Sequence, residues 1–133
     1  MENPYAAPRG LIATPVGTQA PLTWKQILFS FEGRIPRRTF WGFSLLMQPL
    51  SMVAGFMIGL IFGKDHLIPL LLLYIPIIWT GLALQVKRLH DRDKAGTFIF
   101  ILLIPIVGAI WLFVESGCLR GTQGANKYGE DPT

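Results

Sequence analysis

The densest run of chemically capable side chains in this 133-residue sequence is Lys87-Arg88-Leu89-His90-Asp91-Arg92-Asp93-Lys94. A histidine beside a carboxylate is the pair a general base requires, and His90 with Asp91 and Asp93 offers donors to a divalent cation. The spacing speaks against both. Adjacent helical residues point apart, so His90 and Asp91 do not form a dyad. No Ser or Cys nucleophile stands in a block beside them, since Ser30 falls in a separate amphipathic segment and Cys118 follows the last apolar stretch. Three ligands among four cations make a poor metal site. The expectation is therefore no catalytic residue, no metal and no cofactor. Asp91 and Asp93 are expected to pair with arginines of Gly33–Arg38. The expected lipid-phosphate contacts are Arg34, Arg37, Arg38, Lys87, Arg88 and Arg92. The rival reading is that these cations only orient the chain in a membrane.

Ser51, Gly55, Gly59 and Gly63 recur every fourth residue. Small residues at that spacing let two helix backbones approach closely in lipid. The face packs either against the chain's own helices or against a second copy. Pro49, Pro76 and Pro105 fall inside apolar stretches and should kink them, whereas Pro69 sits near a helix start. No Asp, Glu, Lys, Arg or His lies within those stretches, so an ion or proton relay lacks its usual carriers. Gln85 is near enough to the interface to reach water. The tail glycines Gly117, Gly121, Gly124 and Gly129, with Asn126, suit tight turns.

These residues sit in a chain that is 51% hydrophobic and only 15% charged, with a net charge of +4 and a mean hydropathy of +0.45. A disordered chain needs the opposite balance, and a soluble domain carries roughly a quarter charged residues. One cysteine excludes an internal disulfide. Uncharged apolar stretches cover Trp41–Phe62, Leu67–Val86 and Thr97–Val114. Even the last is about 27 Å long as a helix, close to the ~30 Å hydrocarbon core. Ahead of them, Trp24, Ile27, Leu28 and Phe31 fall at helical spacing behind the N-cap candidate Thr23, which describes a short interfacial amphipathic helix. The fold expected is an all-α membrane protein with three transmembrane helices after that surface helix. A flexible leader spans 1–21, a single membrane domain 22–132, and a tail of turns 115–133. NPYAAP in the leader reads as solvated tail, with a partner-binding peptide as the lesser option.

Nine Lys/Arg flank one side of such a three-span chain and three the other. The excess places the segment before the first span in the cytoplasm and the tail outside, unless one stretch is re-entrant.

Four blocks in order also resemble a known family: FEGRIPRRTFW (31–41), VKRLHDRDKAG (86–96), IPIVGAIWLF (104–113) and GTQGANKYGEDP (121–132). The chain resembles the bacterial inner-membrane family of domain of unknown function 805. The resemblance implies a small multi-span protein of that membrane and implies no activity. Asp93 departs from it, standing where the family often has Gly or another small or polar residue, and Glu130 stands where Pro is common. The function expected is a non-enzymatic accessory or scaffold protein with a basic cytoplasmic face. Its partners would be anionic lipids, an unidentified protein and a second copy through the first span, with no nucleic acid. The alternatives are a small oligomeric transporter or channel subunit, and then an enzyme acting on lipid.

Overall fold

The computed structural model describes residues 20–132. The expectations for 1–19, including the NPYAAP peptide, lie outside the described residues. The first helix, α1, covers Trp24–Phe29 and opens on a capping box: the Thr23 hydroxyl accepts from the Gln26 N–H, and the Gln26 side chain accepts from the Thr23 N–H at 2.9 Å. Beyond Ser30 the chain turns at Gly33, whose φ of +89° favours a residue without Cβ, and Leu22 packs beneath it.

Two long helices follow, α2 (Arg37–Phe62) and α3 (Leu67–Asp91), joined through a single 3₁₀ turn at Gly63–Asp65. Their lengths, about 39 and 37 Å, exceed the ~30 Å hydrocarbon core. Both are long and apolar enough to cross a membrane. Leu45, Leu46, Phe56, Leu60, Ile61, Ile68 and Leu72 are all more than half exposed, a surface that lipid covers and water does not. Pro49 and Pro76 lie inside the two helices as expected. The second apolar stretch was expected to end at Val86, but α3 runs on through Lys87, Arg88 and Asp91, so most of the charged octapeptide is helix and not loop.

Half of the small-residue face packs within the chain. Ser51 is buried, and the position a Cβ on Gly55 would take lies 3.2 Å from the Tyr74 hydroxyl of α3. Gly59 and Gly63 have nothing within 4 Å of such a Cβ, so the expected intrachain contact does not extend to them.

The third apolar stretch is not one helix. It forms a 3₁₀ helix over Gly96–Leu103, breaks, and resumes as α4 (Val107–Leu112), which continues into a π-helical turn, Phe113–Cys118. The break centres on Ile106, with φ 64° and ψ −61°, and the Val107 N–H donates to the Pro105 carbonyl at 2.7 Å. That is the rare γ-turn whose central residue has positive φ, a strained geometry for a β-branched residue. Pro105 therefore marks a chain reversal and not a kinked helix. The outgoing limb is about 16 Å long and the returning limb about 18 Å, each near half the hydrocarbon thickness. The hairpin begins and ends at the end of the molecule where α2 starts and α3 finishes. The expected third span and a tail on the far side are thus corrected: Thr122 donates its N–H to the Asp91 carbonyl at 2.8 Å, and Arg34 reaches the Gly124 carbonyl at 2.7 Å.

The two limbs touch through backbone. A Cβ on Gly108 would overlap the Ile101 carbonyl and crowd Leu102 Cα, neither of which can swing aside. Gly108→Ala should therefore cost about 2 kcal/mol or more, read as a lowered Tm in detergent. Gly59→Ala, with open space around it, should change stability by no more than about 0.5 kcal/mol.

Candidate functional site

The buried interior is polar at the end where the hairpin returns. Ile35, Ala83, Leu84, Leu89 and Leu112 are buried there and along the helices, beside Arg34, Lys87, Arg88, Asp91, Glu115 and Ser116. Asp91 is the centre. Its Oδ1 accepts from Arg34 Nε at 3.1 Å and Nη2 at 3.0 Å, and its Oδ2 accepts from Arg88 Nη1. The three side chains are at most 4% exposed. Two guanidiniums against one carboxylate leave an excess positive charge, and main-chain carbonyls neutralise it. Arg34 donates to the carbonyls of Thr122 at 2.7 Å, Gly124 at 2.7 Å and Gly129 at 3.1 Å. Arg88 donates to those of Ser116 at 2.6 Å and Leu119. Every accepting carbonyl belongs to the returning limb or the tail. Gly121 sits against the Asp91 carboxylate so closely that a Cβ would overlap it.

Lys87 is equally buried, and its ammonium donates to the carbonyls of Ile27, at 2.8 Å, and Ser30. The last carbonyls of α1 have no intrahelical partner, and a cation there meets the negative end of the helix dipole. Trp79 reinforces the dock: its indole N–H donates to the Phe29 carbonyl and its ring meets Phe31 edge-on at 5.0 Å. Arg92 pairs with Glu115 at 3.0 Å, and Lys94 lies 3.6 Å from the same carboxylate. Gln85, half-buried, donates to the Ser116 hydroxyl. His90 stacks on Tyr128 at 3.8 Å and 5°, and Asn126 donates to the His90 carbonyl at 2.9 Å. Among the described residues, no buried side-chain nitrogen or oxygen lacks a partner.

The six cations expected to contact lipid phosphate therefore divide. Arg34, Lys87 and Arg88 are buried and their donors are taken, so they cannot reach a headgroup. Arg92 is held by Glu115 and the Arg120 carbonyl. Arg37 and Arg38 are exposed. The expected pairing of Asp91 with an arginine of the Gly33–Arg38 block is present; Asp93 instead forms the C-terminal turn of α3. There the Asp93 N–H donates to the His90 carbonyl at 3.0 Å and the Lys94 N–H to the Leu89 carbonyl at 2.9 Å, while Asp93 has φ 57°. This is the helix stop that favours glycine at its left-handed position.

Glu115, Ser116, Thr122 and Asn126 carry much of this cluster and were not singled out from the sequence as partners of the basic block. The signal was the tail's glycines, which bring main-chain carbonyls close to a guanidinium. Cys118 is exposed at this same end, not on an opposite face, and its carbonyl accepts from Arg37 at 2.7 Å.

The sequence pattern of a family described as "Protein of unknown function (DUF805)" matches residues 28–130. The chain belongs to that family. Among its relatives in Escherichia coli K12, "Inner membrane protein YhaI" is 34% identical, over 77% of this chain and 85% of the relative. "Inner membrane protein YhaH" is 31% identical over 77% and 86%, and "Uncharacterized protein YiiR" 29% identical over 83% and 90%. No solved structure matches. The DUF805 match takes in α2, α3, the hairpin and all the residues of the charge cluster.

Removing one member of a buried ionic group leaves its partners uncompensated, which costs about 3–5 kcal/mol. Asp91→Asn should therefore lower the detergent Tm steeply and free the tail to proteolysis. Asp93→Gly should leave stability unchanged or raise it by up to about 1 kcal/mol, since glycine removes the left-handed strain.

Proposed function

We propose that this protein is a non-enzymatic accessory or scaffold protein of the bacterial inner membrane, crossing it twice, with a re-entrant hairpin and a folded basic cap in the cytoplasm. The observation that supports this is the grip of Arg34 and Asp91 on the tail. It requires the segment before α2 and the tail after the hairpin to share one side. With the tail there, Arg120 and Lys127 join the basic face, and Lys64 alone among the described Lys/Arg stands at the opposite end. That asymmetry is stronger than the three-span arrangement gave and argues for a cytoplasmic cap. The cations consumed in the cluster hold the cap together, and the remainder face the headgroups of an anionic leaflet, where each basic group contributes about 1 kcal/mol.

One feature favours a transporter or channel subunit: a broken, re-entrant segment, which transporters use to line sites. Here that segment presents Leu102, Leu103, Ile104 and Ile106, and no ionisable residue stands between Gly96 and Val114.

A single cysteine placed at Thr122 in a Cys118→Ser background tests the arrangement. An impermeant thiol reagent should label it only after lysis, and labelling of intact cells would put the cap outside. Affinity capture from native membranes should then recover a protein partner, while reconstituted vesicles show no added ion leak. Leak with no partner would favour the transport reading. A native-membrane dimer lost in Gly59→Ile would identify that partner as a second copy seated on the open end of the glycine face.

A further inference from the structure

Among the described residues, the Arg38 and Arg120 side chains have no hydrogen bond or ion pair, and Arg37 donates only to the Cys118 carbonyl. All three line one cleft of about 670 Å³, together with Pro36, Gly121, Thr122 and Gln123. Arg37 and Arg38 come from the first turn of α2 and Arg120 from the tail, so the cleft exists only because the tail is folded back. Asp91 borders it with both oxygens already taken by Arg34 and Arg88. Asp131 also lines it, and accepts from the Gly124 N–H at 2.9 Å.

We infer that this cleft binds a phosphate group, with Arg37, Arg38 and Arg120 as its ligands. Three guanidiniums converge from two chain segments on a concave space, and a guanidinium fork matches two phosphate oxygens at once. The 26-residue helix α2 adds to this, because Pro36, at its N-cap and in the cleft wall, gives no side-chain cap, which leaves the positive end of the helix dipole beside the cleft. The phosphate is that of an anionic phospholipid headgroup or of a small soluble phosphate ester. The cleft's position favours the lipid. Arg37, Trp41 and Ser44 lie on one face of α2 at i, i+4 and i+7, and Trp41 and Ser44 line an apolar groove of about 480 Å³ with Leu82, Leu102 and Phe113. The inference rests on the proposed topology only for which leaflet supplies the lipid. Phosphate recognition itself does not depend on it.

The test uses the full chain in nanodiscs of phosphatidylglycerol and phosphatidylcholine, released for native mass spectrometry, and compares the parent with Arg38→Gln plus Arg120→Gln. Those two side chains hold nothing else, so the detergent Tm should stay unchanged. Retention of phosphatidylglycerol should fall roughly thirtyfold, each cation near an anionic surface being worth about fivefold. Arg38→Lys plus Arg120→Lys should lose part of that retention, because the ammonium cannot make the fork contact. Lys64→Gln, at the far end of the molecule, should lose none. A second arm titrates glycerol 3-phosphate into lipid-stripped protein and follows the Tm. A saturable rise abolished in the glutamine double variant, without selective lipid retention, supports the cleft and assigns it a soluble ligand. If neither probe distinguishes parent from double variant, the phosphate site is overturned, whatever the labelling of Thr122 has shown about topology.

Discussion

Asp91 is one carboxylate between two buried guanidiniums, and the placement of nearly every other element follows from it. A lone ion at that depth would be expensive to desolvate, and two like charges would repel. The cluster is stable because the residual positive charge is spread over main-chain carbonyls of the returning limb and the tail, each a dipole fixed by its own local turn. The same residue thus sets where α2 begins and α3 ends, through the carboxylate's bonds to Arg34 and Arg88, and where the tail lies, through its main-chain carbonyl, which accepts from Thr122, and the close approach of Gly121 to the carboxylate. Lys87 does the matching work on the other flank, drawing the end of α1 onto α3.

That grip constrains the third apolar stretch more than hydropathy does. Once Ser116 and Leu119 are bonded to Arg88 and the chain leaves α3 at the same level, the residues between must return to where they started. Eighteen apolar residues cannot cross the hydrocarbon core and come back, so the stretch folds at its middle. Inside a bilayer a reversal exposes backbone groups that water cannot reach. The turn answers this locally: the Ile104 N–H meets the Ile101 carbonyl at 3.0 Å, the Val107 N–H that of Pro105 at 2.7 Å, and the Gly108 N–H that of Ile104 at 2.9 Å. The strain at Ile106 is what closing the reversal in so few residues costs.

Much of this was legible in the sequence, and the part that was not has a physical cause. The helical character, two of the three helices expected to be long enough to span, the Thr23 cap and the Asp91 pairing with the Gly33–Arg38 block all follow from short-range pattern and charge. The odd residue at position 93 is also accounted for, since the left-handed turn there accepts Asp and favours Gly. Hydropathy, however, scores how apolar a segment is and not whether it continues straight. Thr97–Val114 was the shortest stretch, and Pro105 three residues before Gly108 was the available warning. The cations were harder still. A main-chain carbonyl has no sequence signature, so nothing distinguished an arginine facing lipid phosphate from one facing Gly124 or Ser116.

The division between consumed and remaining cations ties the cap's architecture to its outer surface. Arg120 is kept beside Arg37 and Arg38 by the bonds of Asp91 and Arg34 to Thr122, one residue beyond Gly121, and by that of Arg92 to the Arg120 carbonyl. The cluster and the cleft therefore form one mechanical unit: whatever loosens the grip on the tail also removes one wall of the cleft, and an anion bridging the three arginines would draw the tail toward α2. On the proposed topology the first turn of α2 leads into the first span, so such a bridge would couple the cap to that span.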